Sequence, residues 1–159
     1  MKTIDEQILA MAAQWPEFAI TKRTETSATW EGPLAPDGRQ HLVRVHYRVP
    51  FVLENISVKN AQPRVQVIAP RLERHVDYEL GPIPHVYVNP IDKTLPFLCL
   101  FSPEFQQWSC CDLIADTTIF WAYEWLWFYE GWLAIGKWRG GGRHPGPEPD
   151  EEAKRLETV

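Results

Sequence analysis

The segment from residue 43 to residue 49 alternates apolar and polar side chains, and this pattern constrains the fold more than any other feature of the chain. The apolar positions are Val43, Val45, Tyr47 and Val49, and the polar ones are Arg44, His46 and Arg48. Because successive side chains of a strand point to opposite faces, a period of two predicts a strand with one buried face. Residues 29–33 and 64–69 have similar character, and the prolines and turn residues between these segments predict an antiparallel meander.

The N-terminal segment predicts an amphipathic helix that packs against this sheet. Thr3 is followed three residues later by Glu6, a capping box that satisfies the first helical amides. Apolar side chains then recur at helical spacing, at Ile4, Ile8, Met11 and Trp15. Pro16 lacks a backbone donor and is expected to end the helix.

A longer helix is predicted after residue 112, with Asp112 as its N-cap. Its expected buried face carries Ile114, Thr118, Trp121, Trp125, Phe128 and Trp132. Such an aromatic stripe favours packing in the core over stacking on a ligand. Residues 113–135 are apolar enough to suggest a membrane span, but the carboxylates of Asp116, Glu124 and Glu130 would be costly in lipid. A helix packed on the sheet is therefore favoured.

The length and charge of the chain narrow the classes of partner. A chain of 159 residues is expected to form one domain, over residues 1–138, followed by a Gly/Pro-rich acidic tail over residues 139–159. The formal net charge of −5 argues against a nucleic-acid partner held by phosphate contacts. No cysteine or histidine spacing suggests zinc, and no glycine-rich phosphate loop is present. We therefore expect no metal, no cofactor and no nucleic acid.

The chain has three cysteines, and their pattern offers more than one candidate nucleophile. Cys99 lies in an apolar block, residues 97–101, after a proline-rich stretch at residues 81–96 that is predicted to be a long ordered loop. From these residues alone, packing of Cys99 in the core is the favoured interpretation. Cys111 precedes the predicted helix start, where a helix N-terminus can lower a thiol pKa. Cys110 and Cys111 are too close in sequence for an unstrained bridge, and the absence of a paired framework favours the reducing cytoplasm.

The order of these segments resembles the ubiquitin-conjugating enzyme (UBC) fold, and in particular its bacterial branch, which includes the stand-alone proteins of short type II CBASS antiphage operons. The motifs that carry the resemblance are Pro84-His85, Leu98-Cys99-Leu100-Phe101, Trp108, Ile114-Ala115-Asp116-Thr117, and the runs 121–126, 128–130 and 138–142. The fold that it implies is α+β, with an N-terminal helix, an antiparallel four-stranded meander, a long active-site loop and C-terminal helices.

The resemblance also implies a set of site residues. Cys99 matches the cysteine that accepts an acyl group as a thioester, which reverses the preference for simple packing. His85 matches the first residue of the family's His-Pro-Asn motif, where it holds the loop and could act as a general base. Val86 and Tyr87 replace the proline and the asparagine of that motif. Tyr87 and Asn89 are therefore candidate auxiliary residues that could stabilise the oxyanion.

The same resemblance implies a protein partner and a function in antiviral defence. The expected partner is the cyclic-oligonucleotide synthase (CD-NTase) of the operon, whose C-terminus would load Cys99, or a ubiquitin-like donor. Since no nucleotide-binding motif is present, an activating enzyme could supply the free energy. The alternative is a non-catalytic module that keeps the UBC fold and scaffolds a partner protein.

Overall fold

A computed structural model describes residues 1–51, 62–74, 83–101 and 107–141 of the chain. Its elements in chain order are α1 (Ile4–Gln14), β1 (Ala19–Arg23), β2 (Ser27–Leu34), β3 (His41–Arg48), β4 (Arg64–Ala69), β5 (Val86–Tyr87), β6 (Phe97–Leu98) and α2 (Thr118–Ile135). The predicted α+β class is confirmed, with one helix before the strands and one after them in chain order. Most of the predicted tail, residues 142–159, lies outside the described residues.

Strands β1 to β4 form a four-stranded antiparallel sheet in sequence order, as predicted. The alternation in β3 is confirmed, because Val43, Val45 and Tyr47 are buried on one face. Their neighbours across the strands include Trp30 of β2 and Val65 of β4, both opposite Val45, and these are buried as well. The edge strand β1 was not predicted, since all five of its residues are exposed and give no apolar signal.

Helix α1 begins as its sequence predicts. The Thr3 hydroxyl accepts from the Glu6 amide at 3.2 Å, and the Glu6 carboxylate accepts from the Thr3 amide at 2.8 Å. The buried Gln7 side chain then ties the helix to a distant segment: its amide nitrogen donates to the Asp112 carbonyl at 2.8 Å, and its oxygen accepts from the Ile114 amide at 2.9 Å. α1 therefore packs against residues 112–116 as well as against the sheet.

The predicted start of the second helix was wrong. α2 begins at Thr118, and the Asp112 carboxylate instead accepts from the Ser109 amide at 2.7 Å and from its hydroxyl at 3.0 Å, which closes a turn. An Asp112 cap would bond the Ile114 amide, but this amide donates to the Gln7 side chain instead. Residues 114–117 form turns, and the helix begins at Thr118. Cys111 therefore lies well before the helix start, and the argument that a helix N-terminus activates it does not apply.

Helix α2 ends at Ile135 with Gly136 in the left-handed conformation that glycine favours, at φ 71°. The predicted buried stripe is largely confirmed, since Trp125 and Trp132 are buried and Trp121 and Phe128 are half-buried. The opposite side of α2 carries exposed aromatic side chains, at Phe120, Tyr123 and Trp127. In the part of the chain that the structure describes, no helix has the length and apolar character needed to cross a membrane.

Candidate active site

Cys99 lies at the base of a small hairpin formed by β5 and β6. Val86 pairs with Leu98 and Tyr87 with Phe97 in antiparallel register. Beyond the paired strands, the Cys99 amide donates to the His85 carbonyl at 2.9 Å, so the two residues lie opposite each other. The predicted long loop thus contains a short strand, β5, and a turn, as far as its described residues from 83 onward extend.

The tip of the hairpin is held by side-chain hydrogen bonds to the backbone. Asn89 is buried; its side-chain nitrogen donates to the Leu95 carbonyl at 3.1 Å, and its oxygen accepts from the Ile91 amide at 3.1 Å. Gln66 of β4 donates to the same Leu95 carbonyl at 3.0 Å and joins the hairpin to the sheet. Both polar atoms of Asn89 are therefore engaged within its own loop.

The Cys99 thiol is free and only partly buried. Its sulfur donates to the Tyr87 hydroxyl at 3.3 Å and makes a longer contact, 3.8 Å, with the Phe101 carbonyl. A thiol has one hydrogen, while a phenol can both donate and accept. When the sulfur is ionised, the Tyr87 hydroxyl can therefore donate to it. The hairpin register brings together two of the candidate site residues, Cys99 and Tyr87.

His85 makes contacts in the site through both its backbone and its ring. It is buried and has a φ of 52°, a left-handed conformation that is uncommon for a residue with a side chain. Its carbonyl oxygen accepts two hydrogen bonds, one from the Cys99 amide and one from the Trp125 indole nitrogen, each at 2.9 Å. Its ring lies 5.0 Å from the Trp138 ring, centroid to centroid, with an interplanar angle of 31°.

Sequence reasoning missed the aromatic side chains that surround His85. Trp125 was expected only to pack in the core, and Trp138 entered only as part of a family motif. The two rings lie 5.4 Å apart, and the ring of Phe128 lies 6.0 Å from that of Trp138. A Cβ added at Gly140 would come within 2.6 Å of the Trp138 indole nitrogen, so the backbone passes closely over this cluster. Gly140 is the residue whose lack of a side chain permits this close approach, whereas a Cβ at Gly141 would meet nothing within 4 Å.

The other two cysteines lie in a separate turn. The Cys110 carbonyl accepts from the Lys2 amide at 2.7 Å, and the Cys111 amide donates to the Ser109 hydroxyl at 3.2 Å. Cys110 is partly buried and Cys111 is exposed. Burial, followed by the charges of these two cysteines, raises the pKa of Tyr47 to about 12. Neither cysteine has a hydrogen bond to the hairpin among the described contacts.

A polar pair, the buried His41 and the partly buried Glu130, joins β3 to α2 and was not predicted. The two side chains meet at 2.7 Å through Nε2 of His41, and Arg39 approaches the same carboxylate at 3.8 Å. Burial lowers the pKa of His41, although the hydrogen bond to Glu130 opposes the shift. Nδ1 of His41 is buried and has no partner among the described residues, so a second proton there would gain no hydrogen bond.

Within the described segments, no group of three or more histidine, cysteine or carboxylate side chains could hold a metal ion. A model of the type II CBASS E2 protein family matches residues 7–145, a span that includes most of α1 and all of the sheet, the hairpin and α2. A search of curated proteins found no match to the chain.

Proposed function

This chain belongs to the type II CBASS E2 family, and from that premise we propose that Cys99 carries an acyl group as a thioester and transfers it to a target in antiphage defence. E2 proteins as a class act in conjugation, which gives the chain an E2-like role in a CBASS system. The finer proposal concerns the residue, the bond and the partner. We propose that a UBC-like domain at residues 1–138 performs this function in the cytoplasm. Residues 139–159 form a tail in this proposal.

The observation that carries the proposal is the environment of the Cys99 sulfur. It is partly exposed, at the base of a hairpin braced by Asn89 and Gln66, with the Tyr87 hydroxyl 3.3 Å away. A cysteine that only fills space in the core would be fully buried and in apolar contact. A nucleophile needs a rigid backbone, solvent access and a donor able to stabilise the thiolate.

The chemistry needs an activated carboxyl group. The Cys99 thiolate attacks the activated C-terminal carbonyl carbon of a donor, the new S–C bond forms, and the bond to the activating group breaks. The activating group leaves with the electron pair, and the thiol proton goes to solvent or to a general base, for which we propose the His85 imidazole. An amine or thiol of the acceptor then displaces Cys99. We propose that an activating enzyme, or an already activated donor, supplies the free energy.

Tyr87 is a better candidate than Asn89 for assisting this step. Both polar atoms of the Asn89 side chain bond its own loop, whereas the Tyr87 hydroxyl contacts the reacting sulfur. A hydrogen bond donated to the sulfur favours the ionised, nucleophilic form of a thiol. We propose that Tyr87 holds the thiolate and that His85 orders the hairpin base.

The expected donor is the C-terminus of the cyclic-oligonucleotide synthase of the same system, with a ubiquitin-like protein as the other candidate. The test is an intact-mass measurement on the protein co-expressed with the synthase. We expect an adduct with the mass of the donor less one water, released by excess thiol. Cys99→Ser should give a longer-lived oxyester, and Cys99→Ala should give none.

Cys111→Ala is the matched control because Cys111 is the most exposed thiol of the three. This variant should load as well as the wild-type protein. A thiol-sensitive adduct that persists in Cys99→Ala and disappears in Cys111→Ala would contradict the proposal.

A non-catalytic scaffold is the second candidate, and the exposed aromatic side chains of α2 favour it. Phe120, Tyr123 and Trp127 are each more than two-fifths exposed, which suits a binding surface. Iodoacetamide labelling of the folded protein separates the two functions. The carrier requires Cys99 to label at a rate comparable with that of Cys111, whereas labelling of Cys99 only after unfolding would favour the scaffold.

A further inference from the structure

Two aromatic side chains on successive turns of α2 hold both ends of the connection between β4 and β5. The Trp125 indole nitrogen donates to the His85 carbonyl at 2.9 Å, at the end of this connection. The Tyr129 hydroxyl accepts from the Glu73 amide at 2.7 Å and donates to the Glu73 carbonyl at 3.4 Å, near its start. One turn of one helix therefore fixes the backbone on both sides of residues 74–84.

The two contacts are mechanically linked. The rings of Trp125 and Tyr129 are stacked, with centroids 5.4 Å apart and an interplanar angle of 13°. Both side chains are buried, so neither ring can shift without displacing its neighbours. A displacement of Tyr129 at the Glu73 end is therefore transmitted to Trp125 at the His85 end.

The His85 end bears directly on the nucleophile. The carbonyl oxygen that accepts from Trp125 also accepts from the Cys99 amide, so both of its lone pairs are used. His85 is held at a φ of 52°, a conformation that costs free energy and persists only where surrounding contacts enforce it. Trp125 supplies one of the hydrogen bonds that hold it.

We propose that Trp125 and Tyr129 form a clamp that positions the backbone of Cys99 against α2. Both are positioning residues, since they act through His85 and Glu73. The proposal deepens the assigned function and rests on it where acyl transfer is concerned. A thiolate held in place should react faster with a bound donor without changing how tightly that donor binds.

Amide hydrogen exchange of Cys99 tests the clamp without any partner. Trp125→Phe keeps an aromatic ring and removes the donor, and we expect exchange at Cys99 to rise about fivefold to tenfold, the size expected for one hydrogen bond. Tyr129→Phe removes only a hydroxyl. It should raise exchange at Glu73 directly and, through the stack, at Cys99 by about twofold to threefold.

Trp15→Phe is the matched control. Trp15 also donates its indole nitrogen to a backbone carbonyl at 2.9 Å, that of Ala115, so the substitution removes the same kind of bond elsewhere. It should leave exchange at Cys99 unchanged. The clamp is overturned if Trp125→Phe raises exchange at Cys99 no more than Trp15→Phe does, or if Tyr129→Phe affects Glu73 alone. Should Trp125→Phe fail to fold, Tyr129→Phe carries the test.

Loading kinetics add a readout that general destabilisation would not imitate. At saturating donor, Trp125→Phe should slow thioester formation about tenfold, with the donor concentration for half-maximal rate unchanged within about twofold. A shift confined to that concentration would contradict a positioning role. If the wild-type protein forms no thioester, the assigned function fails while the exchange result still decides the clamp.

Discussion

The four-stranded sheet and the Cys99 hairpin are stabilised in different ways. The sheet has strands of five to eight residues, and β2 and β3 pair along eight residues over a buried apolar face. The hairpin has strands of two residues each, and its order comes from side-chain bonds to the backbone, chiefly from Asn89, Gln66 and Trp125. Burial stabilises the scaffold, whereas a few directed contacts place the Cys99 thiol.

The difference predicts that the two regions respond to substitution separately. A large loss of buried area in the sheet should lower the free energy of unfolding while the hairpin keeps its geometry in the folded molecules. Loss of a single contact in the hairpin should leave the unfolding transition nearly intact and change the local order. Stability and site geometry can therefore be measured as separate quantities.

The largest expected effect comes from Trp30→Ala in β2. Trp30 is 1% exposed, and truncation of such a side chain leaves a cavity and costs about 3–5 kcal/mol of unfolding free energy. Urea unfolding followed by circular dichroism measures the change. Iodoacetamide labelling of Cys99 under conditions where the variant stays folded should change less than about twofold, since the hairpin contacts are untouched.

Trp127→Ala is the control for this prediction, because Trp127 is 53% exposed on α2. It should cost less than about 1 kcal/mol. A cost for Trp30→Ala no larger than that for Trp127→Ala would mean that the sheet face is not the main source of stability.

A smaller effect is expected from Asn89→Ala at the hairpin tip. The substitution removes two hydrogen bonds, but Leu95 keeps its contact with Gln66, so we expect a loss of about 1 kcal/mol. Amide exchange at Ile91, which bonds the Asn89 side chain, should rise about fivefold. Thr94→Val, in the same loop, removes only an exposed hydroxyl bond and should leave Ile91 unchanged.

Thioester transfer by Asn89→Ala then separates a structural role from a catalytic one. We expect a loss of less than about tenfold, since the side chain serves the loop. A loss of about a hundredfold with normal exchange at Ile91 would assign Asn89 to the oxyanion instead.

The smallest effect is expected from acidification, which acts on the scaffold through His41. Burial lowers the pKa of His41 in the folded protein below its ordinary value of 6.5. The hydrogen bond to Glu130 opposes this shift, and the charge of Arg39 reinforces it. As the pH falls below 6.5, the unfolded chain binds a proton before the folded protein does, so stability decreases until the folded-state pKa is passed. Because Glu130 offsets part of the burial effect, the decrease should be shallow.

His41→Gln tests this pH dependence, because glutamine can still donate to Glu130 but does not titrate. Urea unfolding between neutral pH and about pH 5 should show a flatter acid dependence for the variant than for the wild-type protein. Equal slopes for the two proteins would show that His41 does not contribute.

The features that were predicted from the sequence are local ones. The capping box of Thr3 and Glu6 and the alternation of β3 each arise from residues within one element, so their patterns are visible in the chain. The start of α2 was misjudged because the Asp112 carboxylate bonds Ser109, and the Ile114 amide, which an Asp112 cap would serve, bonds Gln7, more than 100 residues earlier. Periodicity carries no information about such a contact.

The candidate site likewise has features that were predicted from the sequence and features that were not. Cys99, His85 and Tyr87 were predicted through a resemblance to a known family, and Asn89 through its place in the loop. The bond from Trp125 to the His85 carbonyl was not predicted, because an aromatic side chain in a helical stripe looks the same whether or not its indole nitrogen has a partner. Every residue has a backbone carbonyl, so the sequence does not indicate which carbonyl accepts a hydrogen bond from a distant side chain.

The central claim is that the Cys99 sulfur carries the acyl group, and locating the adduct tests it most directly. Trypsin leaves all three cysteines on one peptide, since no lysine or arginine lies between Lys93 and Lys137. Pepsin, which works in acid, where thioesters persist, can cut beside Phe101 and Trp108 and separate Cys99 from Cys110 and Cys111. We predict that mass spectrometry of the loaded protein finds the donor's C-terminal residues on the peptide containing Cys99. The same residues on the peptide containing Cys110 and Cys111, with Cys99 unmodified, would contradict the account.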